Sequence, residues 1–216
     1  TMAPMAAGLA SDQAVSDVSA YVATLSGAKS AATLGGDAST GKAAYGTCVA
    51  CHGQDGNSVV PGTPHLAGQN SRYLKRQMEL IQSGARPVPL MTGMLDDVNE
   101  EGLADIAAYY ASLPASIREA SRDSLEQGEA IYRGGIMEKG VAPCTACHSP
   151  NGSGNQLAGF PKISGQAVDY TISQLTAYRE GQRQTDEEYG GMMRSVASNL
   201  TDNEIRAVAN YMLGLN

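Results

Sequence analysis

Apolar side chains recur with helical spacing in two separate stretches of the chain. The spacing i, i+3, i+4 and i+7 is formed once by Leu103, Ile106, Ala107 and Tyr110 and once by Ile205, Val208, Ala209 and Met212. Asn99 and Thr201 precede these stretches at the N-cap position, Glu204 completes a capping box with Thr201, and Pro114 follows the first stretch. Strand-like alternation is nearly absent, so the sequence predicts an all-α fold in which each stretch is a closing amphipathic helix.

The two stretches belong to an internal repeat that covers most of the chain. Gly41 and Tyr45 match Gly128 and Tyr132, the segment 64–86 recurs as 161–183, and Met91 matches Met193 after the register shifts by five residues. The repeat predicts two tandem domains, residues 37–115 and 116–216, joined near residues 114–123. Gly41 and Gly128 are expected to let a preceding helix cross each closing helix at close range.

Each half contains one Cys-X-X-Cys-His motif, and the two motifs use all four cysteines. The first motif is Cys48, Cys51 and His52, and the second is Cys144, Cys147 and His148. Two thiols on one helical turn can each bond a haem vinyl group, and the next residue places an imidazole under the iron. The spacing therefore predicts two covalently attached c-type haems, with His52 and His148 as proximal iron ligands.

Zinc and dithiol chemistry are the alternatives for these cysteines. A zinc ribbon brings its two pairs within roughly 15–20 residues, whereas these pairs lie in different halves of the chain. A thioredoxin-type pair would need a βαβ context, which the helical pattern does not provide. Haem attachment is the favoured interpretation.

The repeat also selects the second iron ligand among nine methionines. A thioether needed in both halves should occupy equivalent positions, and Met91 and Met193 are equivalent. Met94 aligns with Val196, and Met192 aligns with no methionine in the first half. The sequence thus predicts Met91 and Met193 as distal ligands and Met94 and Met192 as packing residues.

Composition restricts the partners and the core. The 216 residues include no Trp and one Phe, so a buried porphyrin would supply much of the apolar filling of two small domains. The net charge is −7 without basic clusters, which argues against nucleic acid and anionic membrane as partners. No apolar run is long enough for a membrane span, and covalent haem attachment implies export, in a bacterium to the periplasm.

These motifs resemble class I cytochrome c domains, and their duplication is similar to the two-haem cytochrome c4 family, over about residues 37–216. The resemblance implies that Pro64 and Pro161 offer their carbonyl groups to the proximal histidines, a contact that would fix the rings. It implies that two haems meet near the domain interface with their propionate edges facing one another. Propionate contacts are expected from the pairs Arg86 and Arg183, Tyr73 and Tyr170, and Gln77 and Gln174.

The resemblance further implies one-electron transfer between a quinol-oxidising complex and a terminal oxidase or another periplasmic reductase. No catalytic residue is expected, because an iron with His and Met ligands has no open position. Two alternatives remain, an electron-accepting subunit of a larger dehydrogenase or oxidase and a di-haem peroxidase. Equivalent methionines in both halves argue against the peroxidase, which needs a labile distal position.

Two features depart from the simple repeat. His65 aligns with Lys162, so it is expected to be a solvent-facing residue and not a ligand. Residues 1–36 resemble the closing part of a third domain, with Met2 in the place of Met91 and a linker rich in Gly, Ala and Ser from Ser26 to Gly36. Either the chain comes from a longer tri-haem protein, or this segment is a helix with a structural role only. Val15, Val18 and Val22 form its apolar stripe.

Overall fold

The computed structural model describes residues 11–24 and 35–215. The chain divides into two compact units, Thr1–Thr33 and Leu34–Asn216. The linker and the Met2 motif predicted for the N-terminal segment fall almost entirely outside the described residues.

The described residues are helical and contain no β-strand, as the sequence predicts. Two isolated antiparallel bridges, Ile136 with Val141 and Asn155 with Phe160, are the only strand-type pairs among them. Four single 3-10 turns span Tyr45–Thr47, Pro89–Met91, Met137–Lys139 and Glu187–Tyr189. The α-helices are α1 (Asp12–Thr24), α2 (Ala38–Ala44), α3 (Val49–His52), α4 (Ser71–Gln82), α5 (Glu100–Ser112), α6 (Leu125–Gly134), α7 (Thr145–His148), α8 (Val168–Arg179), α9 (Met192–Ala197) and α10 (Asp202–Leu213).

The N-terminal unit is described as the single helix α1. The hydroxyl of Ser11 accepts a hydrogen bond from the backbone N–H of Ala14 at 3.1 Å, as an N-cap residue does. Val15 and Val18 of the predicted stripe are about half exposed, at 46% and 45%. The side chain of Val22 is not among those described.

Each half of the second unit is built around a crossing of two helices at a glycine. A Cβ atom on Gly41 of α2 would overlap the backbone carbonyl of Asp105 in α5, and one on Gly128 of α6 would overlap that of Ala207 in α10. Both backbones therefore approach as closely as glycine allows, as the repeat predicts.

The closing helices α5 and α10 hold the cores of the two halves. All eight predicted apolar positions are buried, including Leu103 at 1% and Ile205 at 0% exposure. The side chain of Asn99 accepts from the N–H of Gly102, and Thr201 forms the complete capping box with Glu204. The predicted caps and helix faces are confirmed.

The two halves contact each other through equivalent residues. The side chain of Gln69 accepts from the N–H of Lys162 at 2.8 Å and donates to its C=O at 2.7 Å. Gln166, the repeat partner of Gln69, does the same with His65, at 2.8 Å to the N–H and 3.0 Å to the C=O. Arg76 of the first half also forms a bidentate ion pair with Glu188 of the second half.

The predicted solvent-facing position of His65 is wrong. It is only 9% exposed and lies in this contact, whereas the sequence predicted a solvent-facing position. Its burial arises from the packing of one half on the other, which a comparison of the two repeats cannot reveal.

Candidate haem sites

The two cysteine motifs form one helical turn each. Helices α3 and α7 begin directly after Cys48 and Cys144 and end at His52 and His148. In both turns the histidine N–H donates to the carbonyl of the first cysteine at 2.9 Å. The turn therefore brings both thiols and the imidazole together, as covalent haem attachment requires.

Both histidines are buried and held by a proline carbonyl. Nδ1 of His52 lies 3.1 Å from the carbonyl oxygen of Pro64, and Nδ1 of His148 lies 2.9 Å from that of Pro161. A carbonyl can only accept, so Nδ1 carries the proton and Nε2 keeps its lone pair for a metal. Burial lowers the pKa of both histidines, although the carbonyl contact opposes the shift, and it favours the neutral ring that an iron ligand needs.

The thiol of Cys144 lacks the activation that a redox-active cysteine needs. Burial raises the pKa of the Cys144 thiol to about 11, so this thiol is not activated as a thiolate. Within residues 11–24 and 35–215, no three His, Cys, Asp or Glu side chains gather closely enough to hold a metal ion.

A large apolar cavity joins the two motifs. Its volume is about 880 Å³, and residues of both halves line it, including His52 and His148. Single small-molecule sites usually measure about 300–1,000 Å³, so this cavity is at the upper end of that range. The wall includes Leu74, Ile106 and Val208, which offer the apolar surface that a porphyrin would bury. The residues present therefore fit a haem in each half.

The structure places Met91 and Met193 on the wall of this cavity, each partly buried. Met193 also packs against the core of the second half. Met94 and Met192, which the sequence predicted as packing residues, are 44% and 41% exposed, so neither is a buried packing residue. Met192 still borders the cavity, whereas Met94 does not.

The predicted propionate residues form one network across the two halves. Arg86 donates to Gln77 at 2.8 Å, to Tyr170 at 3.0 Å and to Gln174 at 3.1 Å. Arg183 makes the equivalent contacts from the other half: it donates to Gln174 at 2.6 Å, to Tyr73 at 2.9 Å and to Gln77 at 3.0 Å. Each glutamine oxygen thus accepts from both guanidinium groups, which holds two positive charges close together between the halves.

The hydrogen-bond acceptors of these two arginines are neutral side chains. Arg183 is 6% exposed, and its remaining acceptor is the hydroxyl of Thr185. Burial raises the pKa of Tyr170, but the charges of Arg86 and Arg183 outweigh it and lower that pKa below its ordinary value. Two adjacent cations with neutral acceptors, Arg183 buried and Arg86 partly buried, form an environment that favours anionic groups on the cavity side.

Two contacts of the second half could not be predicted by comparing the two repeats. The ring of Phe160 lies 6.4 Å from the ring of His148 and 6.0 Å from that of Tyr189. Asp186 is 4% exposed and bonds the first turn of α9, which contains Met193. Tyr189 and Asp186 lie in the segment where the second half is longer, so the first half has no equivalent residue to mark them.

Each half contains a buried histidine fixed by a proline carbonyl, a cysteine pair on the same turn and a methionine on the wall of the shared apolar cavity. This duplicated set defines a two-haem c-type cytochrome. Sequence and structure comparisons agree with this class. The cytochrome c family model matches residues 38–114 and 126–216.

The chain is 44% identical over 189 residues to cytochrome c4 of Azotobacter vinelandii, covering 83% of this chain and 90% of the relative. The structure of reduced recombinant cytochrome c4 from Pseudomonas stutzeri superposes with a TM-score of 0.82 at 45% identity, covering 84% of this chain and 100% of that chain. The chain belongs to the cytochrome c4 family, and its cofactors are two haem c groups.

A more distant relative has a different description. The thiosulfate dehydrogenase electron acceptor of Stutzerimonas stutzeri (strain A1501) is 33% identical over 168 residues, which is 76% of each chain. Within the described part of the chain, no helix is both long and apolar enough to cross a membrane.

Proposed function

We propose that this protein carries single electrons in the periplasm, from a quinol-oxidising donor complex to a terminal oxidase or another reductase. The observation that carries the proposal is the duplicated site. In each half a methionine and a neutral, buried histidine border the same cavity. A histidine and a methionine that both held the iron would leave it no open position, so its chemistry would be electron transfer.

The proposed ligands are His52 and Met91 in the first half and His148 and Met193 in the second. Cys48, Cys51, Cys144 and Cys147 would hold the porphyrins by thioether bonds. A bound haem supplies a reversible ferric/ferrous couple, and the thioether ligand favours the ferrous state. The protein contributes attachment, ligand orientation through Pro64 and Pro161, and exclusion of water.

We assign the arginine network to the propionates. Arg86 and Arg183 border the cavity and provide two cations whose acceptors are neutral, and Tyr73 and Tyr170 orient them. A carboxylate at this place would gain charge-assisted hydrogen bonds from the network. Both arginines bond residues of the opposite half, so the same network would serve the propionates of both haems.

A bound electron-accepting subunit is the second candidate. The relative described as a thiosulfate dehydrogenase electron acceptor favours it, because that description names a dehydrogenase as the electron donor. Both candidates use the same haem sites and differ in the partner surface.

The test measures haem content, axial ligation and partners of the protein purified from its native source. The expected result is two haems per chain, a low-spin ferric spectrum with a thioether-to-iron band, and rapid reduction by a quinol-oxidising complex. A high-spin ferric haem with turnover of hydrogen peroxide would overturn the proposal in favour of a peroxidase. A dehydrogenase that co-purifies in stoichiometric amount would instead support the subunit function.

A further inference from the structure

The loop before Met193 is organised by a single carboxylate. Oδ2 of Asp186 accepts from the backbone N–H of Arg194 at 2.9 Å, and Oδ1 accepts from Nε of the same residue at 2.8 Å. The backbone carbonyl of Asp186 also accepts from the N–H of Gly191 at 3.0 Å. Met193 therefore lies between two residues that are both hydrogen-bonded to Asp186.

The carboxylate acts as a cap for α9 from outside the helix. The first N–H groups of a helix lack partners inside it, and the N-cap residue here is Gly191, which has no side chain. Arg194 is in the first turn, and Asp186 satisfies its N–H. Because Met193 is the preceding residue of that turn, the same hydrogen bond fixes the direction in which the methionine leaves the backbone.

The Asp186 carboxylate is shielded from water, which strengthens these bonds. Its side chain is 5% exposed, whereas Glu187, which also pairs with Arg194, is 77% exposed. A hydrogen bond from a cation to a shielded carboxylate contributes more to stability than an exposed ion pair, which water and salt screen. The two acidic neighbours of Arg194 therefore differ in structural importance.

The first half positions its methionine by other means. The segment before Met91 is Pro87-Val88-Pro89-Leu90, and the N–H of Met91 donates to the carbonyl of Val88 at 2.8 Å. Two prolines restrict the backbone of this short segment without an ionic contact. The residue equivalent to Arg194 is Thr92, so the carboxylate contact is specific to the second half.

We propose that Asp186 is the positioning residue of the distal ligand Met193, and that it makes the second haem site depend on an ionic contact which the first site lacks. The inference rests on the proposed ligation by Met193. Asp186 holds the first turn of α9 in place, and this keeps the thioether from yielding its position to a competing ligand. Removing the carboxylate should loosen one iron–methionine bond and leave the other unchanged.

The test compares Asp186→Ala and Asp186→Asn with the matched control Glu187→Gln in the haem-loaded protein. Imidazole is added to the ferric form, and its affinity for each haem is followed by the loss of the thioether-to-iron band. Asp186→Ala should raise imidazole affinity at one haem by about tenfold or more, the equivalent of losing a hydrogen bond to a shielded charge. Glu187→Gln should change it less than about twofold.

Two further variants separate the possible failures. Arg194→Lys keeps the hydrogen bond from the backbone N–H to Asp186 but loses the one from Nε. The imidazole affinity of this variant should therefore lie between those of the wild type and Asp186→Ala. Met193→Ala should abolish the band of the second haem outright. If Met193→Ala leaves both bands intact, the proposed ligation is wrong. If Met193→Ala removes one band while folded Asp186→Ala and Asp186→Asn bind imidazole like the wild type, the role of Asp186 is wrong.

Discussion

Gln69 and Gln166, which occupy equivalent positions of the repeat, each bind both backbone groups of one residue in the opposite half. The four hydrogen bonds measure 2.7–3.0 Å and connect the segments that follow the two haem motifs. Gln69 is 7% exposed, so its amide has little access to water as an alternative partner. The contact between the halves is therefore a specific one and not merely a consequence of their covalent connection.

Replacing either glutamine should weaken this contact. Gln69→Ala and Gln166→Ala each leave a backbone N–H and C=O at the interface without their side-chain partner, which should cost about 1–3 kcal/mol in the free energy of unfolding. Urea titration followed by circular dichroism measures this cost. Gln127→Ala, at an exposed position of α6, is the control and should change it by less than about 0.5 kcal/mol. Equal stability of all three variants would contradict the prediction.

The ligand assignment predicts the spectra of two single variants. Met91→Ala and Met193→Ala should each abolish one thioether-to-ferric-iron band and lower the reduction potential of one haem, because the thioether favours ferrous iron. Both haems should stay attached, since the cysteines are untouched. Met94→Ala is the matched control, because Met94 is exposed and does not border the cavity. An unchanged band in Met91→Ala or Met193→Ala would shift the assignment to another methionine.

The two haems should have different reduction potentials despite equal ligands. The first motif follows the 3-10 turn Tyr45–Thr47 directly, whereas the second follows the longer loop closed by the bridge between Ile136 and Val141. Only the second half places the Phe160 ring near its proximal histidine, because the equivalent residue of the first half is Thr63. Burial and contacts around an iron tune its potential. A spectroelectrochemical titration that fits a single potential would contradict this prediction.

His65 should make the protein less stable as the pH falls. Burial, followed by the positive charges of Arg118 and Lys162, lowers the pKa of His65 from 6.5 to about 4, while the nearby Asp55 opposes the shift. The unfolded chain therefore binds a proton below pH 6.5 before the folded protein does, and stability falls between pH 6.5 and about 4. The His65→Asn variant should not lose the part of the free energy of unfolding that depends on His65 protonation. Urea midpoints at pH 7 and pH 5 measure it, and parallel losses in both proteins would contradict it.

The helix crossing at Gly41 should not tolerate a methyl group. A Cβ atom there would overlap the carbonyl of Asp105, so Gly41→Ala forces α2 away from α5. Overpacking of this kind costs about 1–3 kcal/mol. Gly46→Ala is the control, because nothing lies within 4 Å of the added atom. Thermal unfolding of the two haem-loaded variants should show a lower midpoint for Gly41→Ala only.

The sequence was sufficient for features that repeat and that depend on local spacing. The caps Asn99 and Thr201, the buried faces of α5 and α10, and the close approach at Gly41 all follow from patterns within one half. The burial of His65 depends instead on how one half packs on the other. Asp186 escaped prediction because it lies in the longer segment before Met193, where the repeat offers no equivalent residue for comparison.

The reciprocal glutamine contact relates the two halves of residues 37–216 as the subunits of a two-fold homodimer are related, with the difference that one polypeptide connects them. In such a dimer, equivalent residues meet in both directions across the axis. Joining the subunits makes their association independent of protein concentration. It also lets the two copies diverge, since a substitution no longer appears on both sides of the axis. His65 and Lys162 illustrate this freedom, because their side chains differ while their backbones are held in the same way.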